Sequence, residues 1–248
     1  MSALAHMLET HGIATVVVGL VRPHMEATRP PRGLWVPFPL GRPFGEPGDA
    51  AFQRCVLLAA LDLLERKNGP VLLEDFSEDA PSMRESGDWT PGITTTPPTA
   101  AGPGAPEHWR AALQAELDTV LPHWRRAQQR FGRTTVGNAG LEPADWAPFA
   151  VGFLDEPLPG SIRDGLSAAL LLRYIADDIK TLYSEAVQAD GSGPSSNAIN
   201  DWFWNRTVAG ALLRALRTAA LASEDRGFNT VGSRFIVPAP WVSPTPGA

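Results

Sequence analysis

Two carboxylates seven residues apart, Asp178 and Glu185 in RYIADDIKTLYSEA, are the pair in this chain best spaced for chemistry. At helical spacing they stand two turns apart, with Tyr174 and Thr181 beside them. They border the apolar stripe of Ile175 and Leu182. Carboxylates at the edge of a core can have raised pKa values and act as an acid/base pair. They could also ligate a metal, although this helix carries no His to complete the usual helical pattern. The structural alternative is a pair of boundary residues capped by arginines. Arg173, Asp177, Lys180 and Ser184 fall on a different face, where ordinary i, i+3 and i, i+4 ion pairs account for them.

Other candidates lie closer to the N-terminus. Arg29 and Arg32 flank Pro30-Pro31, so their guanidinium groups leave a restricted backbone. Such groups suit bidentate binding of a carboxylate; surface ion pairs to Glu26 or Glu46 are the alternative. His24 and Glu26 follow a β-branched run, and Glu74 and Asp75 end another, at the strand ends where open α/β sheets collect ligands. Cys55 is the sole cysteine and the only soft nucleophile. It sits among Phe52, Val56 and Ala59, and a free cysteine there is often only a small buried hydrophobe. The cluster DWFWNRT holds Trp202, Asn205 and Arg206. A buried amide at Asn205 needs partners that a ligand could supply, and tryptophan faces could cage a cationic amine. Aromatic residues on a helical stripe are more often plain core. His108 and His123 read as helix-surface or boundary residues.

The elements that must hold these residues follow from periodicity. Ala3 to His11 predicts a short helix closed by Gly12. Ile13 to Leu20 is continuously apolar and β-branched, which predicts a strand covered on both faces. Leu34 to Phe38 and Val71 to Phe76 predict two more strands. Between them Asp49 should cap a helix over Ala50–Lys67. From about Glu78 to Pro106 Pro, Gly, Ser and Thr dominate, which reads as a linker or wrapping arm with Trp89 docked. Beyond it, helices are expected over His108–Phe131, kinked or split at Pro122, over Ser161–Val187, and over Asn200–Ala222. Phe235 to Val242 reads as a Pro-broken extended tail.

Composition narrows the function classes. The net charge of −6 argues against a general nucleic-acid-binding surface. No apolar run reaches the roughly 20 residues needed to span a bilayer. The N-terminal MSALAHMLETHG lacks a basic flank and does not read as a signal peptide. One cysteine excludes an internal disulfide framework and Cys-rich metal sites. A cytoplasmic location is the simplest expectation. There is no phosphate-binding GxxxxGK[ST], no GxGxxG after a strand, no HExxH and no GxSxG.

The stretch from Arg29 to Leu61 carries a family signature. Gly12-Ile13, the strand Val16 to Leu20, Val36-Pro37, Pro39-Leu40-Gly41 and the helix after Asp49 occur in the order seen in the selenoprotein B component of glycine/sarcosine/betaine reductases. The chain resembles that family over roughly its first third. The resemblance implies an α/β fold and chemistry on amino-acid-like or amine substrates at a carbon–heteroatom bond. The family nucleophile is a selenolate helped by cysteines, soft and ionised near neutral pH. Aligning MSALAHMLETHGI with the family helix leaves neither a selenocysteine nor a Cys pair, so no catalytic residue carries over. The helical two-thirds look like a replacement module.

The expected fold is therefore a Rossmann-like α/β N-terminal unit, residues 1–78, a linker over 79–106, and a mainly helical module over 107–248, α+β overall and packed as one domain. The expected function is a small-molecule enzyme, selenol-free and suited to bacterial specialised metabolism. Arg29, Arg32, Tyr174, Trp202, Asn205 and Arg206 would bind substrate. Asp178, Glu185, His24 or Cys55 would do the chemistry. No cofactor is named and no metal ligand is assigned. A non-catalytic binding protein or subunit, and a carboxylate/His metalloenzyme, are the competing readings. A homodimer is expected on base rates; nucleic acid and membrane are not expected partners.

Overall fold

The computed structural model describes residues 1–38, 41–78, 89–95, 104–190 and 194–242. Pro39 and Leu40 of the family signature, and most of the expected linker, lie outside those residues. The chain forms a mainly helical α+β structure with one small parallel sheet. It divides into two compact units, residues 1–87 with 195–197, and the remainder.

The first unit is built around three short parallel strands in the order β1 (Val17–Gly19), β2 (Arg32–Trp35), β3 (Leu72–Asp75). Helix α1 (Ser2–Thr10) precedes them, and Gly12, at φ 79°, turns the chain away as expected. The first strand is shorter than its apolar run. Its residues are only half-buried, so the expectation of a strand covered on both faces is corrected. Helix α2 (Arg22–Thr28) was not foreseen. Its proline at the second position fits a first turn, where a missing N–H costs nothing. Met25 of α2 lies against Gly19 and Gly33, where any Cβ would meet its side chain. Helix α3 (Ala50–Glu65) starts at Asp49, whose carboxylate accepts from the Phe52 amide at 3.0 Å. Its buried residues Phe52, Val56, Ala60 and Leu63 pack with Leu34, Val36 and Phe38. Side chains alternate along a strand, so α2 covers the Gly33 face of β2 and α3 covers the Leu34 face.

The second unit is helical. Trp89 and Ile93 of the linker pack on its core. Helix α4 (Pro106–Phe131) runs through Pro122 as one helix, so the expected split does not occur. Helix α5 (Pro143–Val151) lies where no element was expected, and it buries Trp146 and Phe149. Helix α6 (Ala168–Ala186) is capped by Ser167 and buries Leu172, Ile175, Ile179 and Leu182 as its stripe predicts. The expected third helix is two: α7 (Ser196–Arg206) and α8 (Val208–Ala222). Thr207 separates them with extended backbone, its hydroxyl accepting from the Gly210 amide at 3.0 Å and donating to the Phe203 carbonyl at 2.6 Å. The expected extended tail is largely helical. After α9 (Arg226–Val231) comes a widened turn over Gly232–Ile236, and Ala239–Trp241 forms a tight turn. Helix α4 packs along α5, α6 and α8 around a single core. No described helix is long and apolar enough to cross a membrane.

Candidate functional site

The two carboxylates of α6 do share a face, and both are consumed by one segment. Asp178 is fully buried and accepts from the amides of Gly137, Asn138 and Ala139 at 2.9 to 3.0 Å. Glu185 accepts from Trp124 Nε1 at 2.8 Å, Thr134 Oγ1 at 2.7 Å, and the amide and hydroxyl of Thr135 at 2.8 and 3.1 Å. Together they clamp residues 134–139 onto α6. A carboxylate whose lone pairs are filled by the protein's own fixed donors is a structural group. The acid/base assignment of Asp178 and Glu185 is corrected on that ground. Tyr174 is half-buried against the core.

A second buried carboxylate was not among the expected site residues. Glu116 of α4 accepts from Tyr183 Oη at 2.7 Å and from the amides of Val208 and Ala209 at 2.8 and 2.9 Å. It therefore sits at the N-terminus of α8, where the helix dipole favours negative charge. Burial nevertheless raises its pKa, with the three hydrogen bonds opposing. Burial, with Glu116 alongside, likewise raises the Tyr183 phenol, which stays a donor. The signal was present: Glu116 falls on the stripe of Leu113, Leu117 and Val120 without a nearby cation.

The remaining candidates are dispersed. Arg32 Nη1 meets Glu9 at 2.6 Å, and Glu9 also accepts from Thr15. Arg29 is exposed and ends α2 in the left-handed conformation, φ 46°. Glu26 and Asp75 both engage Arg22, Glu46 engages Arg42, and Glu74 engages Arg66. His24 lies just after β1, exposed on α2, and no other expected site residue meets it. Cys55 is exposed on α3, which corrects its reading as a buried hydrophobe. Trp202 is core, its ring against Tyr183 at 5.9 Å. The neighbouring Trp204 already has the protein's own cation, Arg214, over its ring at 5.8 Å. Asn205 is not on the buried stripe; it donates to Asp201 and accepts from Arg214. Arg206 is exposed, and its carbonyl accepts from Thr95. The aromatic cage is thereby corrected: the cluster is packing.

Two cavities stand out among the described residues. In the first unit, about 180 Å³ lies against Leu4, Ala5, Leu8, Val16 and Val18, almost wholly apolar. In the second, a cleft of about 200 Å³ opens between α4 and the end of α6. Ile93, Ala186 and Val187 give it apolar walls, and His123, Arg126 and Asp190 bring charge. His123 Nδ1 lies 2.9 Å from Arg126 Nη2. A guanidinium only donates, so Nδ1 accepts and the proton sits on Nε2. Burial first, then Arg126, lowers the His123 pKa, while Asp190 opposes. The imidazole is thus neutral near pH 7 and offers an N–H, its one lone pair already engaged. A guanidinium, a neutral donor and a carboxylate on a small apolar-walled cleft can bind a ligand carrying both charges. His123 continues the α4 stripe from Glu116 and Val120, and that register was its only sequence signal. Asp190 had none, because the turn that delivers it follows α6.

Among the described residues no three His, Cys, Asp or Glu side chains converge as a metal would require. Comparisons with protein-family models, with curated proteins and with solved structures found no match to this chain.

Proposed function

We propose that this chain is a small-molecule-binding protein whose helical unit receives a compact, amino-acid-like zwitterion in the His123–Arg126–Asp190 cleft. The observation that carries the reading is the meeting of these three groups on one cavity. Arg126 and the Nε2–H of His123 suit a ligand carboxylate, and Asp190 suits an ammonium. The volume is on the order of six or seven waters' share of liquid, which limits the ligand to a small metabolite. The imidazole lone pair is engaged by Arg126, so the site favours holding a ligand over abstracting its proton.

The enzyme reading, carbon–heteroatom bond chemistry in a relative of selenoprotein B, remains a second proposal. Its support is confined to the first unit, where three parallel strands alternate with helices. The same order serves many unrelated functions, and the side chains proposed for catalysis are engaged elsewhere or scattered.

The test is titration of the full chain with glycine, its N-methylated derivatives and simple carboxylates, followed by the NMR signals of His123. A zwitterion should shift those signals with a Kd of about 1 mM or below. Arg126→Ala should weaken binding at least about tenfold, while Arg32→Ala leaves it unchanged. No shift at saturating ligand, or equal loss in both variants, would overturn the assignment.

A further inference from the structure

Helix α3 has two apolar faces. One is buried on β2 through Phe52, Val56, Ala60 and Leu63. The other carries Leu57, Leu61 and Leu64 at i, i+4 and i+7, with Leu58 beside them. They are 47%, 46%, 37% and 46% exposed, respectively. Single exposed leucines need no explanation, but four contiguous ones on one helix mark an interaction surface. Arg54 stands at one end of this stripe and Glu65 at the other. Both are exposed, and neither has an ion-pair or hydrogen-bond partner through its side chain among the described residues. Every ion pair among the described residues of the first unit is made within it, including Arg66 with Glu74.

We infer that this face pairs with α3 of a second copy of the chain, antiparallel, about a two-fold axis near residues 59 and 60. Charge order along the helix sets this pairing. Arg54 and Glu65 are eleven residues apart, about 16 Å along the helix. A two-fold axis midway places Arg54 about 8 Å to one side of it, and the partner's Glu65 about 8 Å to the same side. The symmetric contact is made twice, as an isologous interface requires. The same axis sets Leu58 opposite the partner's Leu61, so the apolar centre and the charged ends match together. A parallel pair would instead set Arg54 beside the partner's Arg54. Two helices of this length bury less than the ~800 Å² per partner of a standard interface. The dimer is therefore expected to exchange with monomer at roughly micromolar concentration. This inference is independent of the ligand cleft.

The experiment is sedimentation equilibrium of the full chain across about 1–100 μM, with circular dichroism to confirm folding of each variant. The wild type should show a monomer–dimer equilibrium. Leu61→Glu should be monomeric throughout, with an unchanged helical spectrum. Arg54→Glu and Glu65→Arg should each weaken dimerisation about tenfold or more, since each sets like charges together. The double reversal should restore it. A wild type monomeric throughout, a dimer indifferent to Leu61→Glu, or a double reversal that fails to rescue would each overturn the pairing.

Discussion

Three amide hydrogens surround the fully buried carboxylate of Asp178, and four donors surround Glu185. An unsatisfied buried donor costs about 1–3 kcal/mol. Asp178→Asn turns an accepting oxygen into an NH₂ that opposes an amide N–H. It should lower stability to urea by about 2 kcal/mol while ligand binding in the cleft persists. A variant that keeps wild-type stability but loses binding would return Asp178 to a functional role. The spacing of Asp178 and Glu185 correctly told that they share a helix face. It could not tell what covers that face, because the donors come from residues 39 to 61 positions earlier in the chain. The same limit applies to Arg32, whose acid is Glu9 on a preceding helix, a partner that no local pattern names.

Among elements, those that were legible carried their own local signals. Asp49 announced α3, and the stripe of Ile175, Ile179 and Leu182 announced α6. Elements that depend on distant packing were not. Phe235 to Val242 looked extended because of its prolines, yet Ile236 is buried within a helical turn. The break at Thr207 was hidden because the stripe of Trp202, Ala209, Leu212 and Leu216 continues across it in helical register. Gly210 shows how close α7 and α8 come there. A Cβ at this position would lie 2.3 Å from the Phe203 carbonyl oxygen, which cannot swing aside as a side chain could. Gly210→Ala should therefore cost about 1–3 kcal/mol despite alanine's better helix propensity. Chemical denaturation measures this, and a stabilised variant would show that Thr207 does not hold the two helices so tightly.

At the scale of the molecule, the helical unit depends on a single carboxylate that joins α4, α6 and α8. Burial raises the pKa of Glu116, so the folded chain binds its proton more readily than the unfolded chain does. The stability contributed by this group is fully present below the unfolded pKa, about 4.3. It is lost as pH rises through the raised folded value. Thermal unfolding of the wild type and Glu116→Gln across that window should show the wild type losing ground to the variant as pH rises. A gap that moves the other way would mean that the hydrogen bonds from Val208, Ala209 and Tyr183 outweigh burial.

The clamp on Glu185 also bears on the cleft. Trp124, which donates to Glu185, adjoins His123 in sequence, and Ala186 follows Glu185 directly. One hydrogen bond of 2.8 Å thus fixes the helix turns that present two opposite walls of the cavity. A ligand entering there meets walls already set, so little of its binding energy goes into ordering the protein. Selectivity should then follow ligand size sharply, since a preorganised cleft of about 200 Å³ gives little way to one more methyl group.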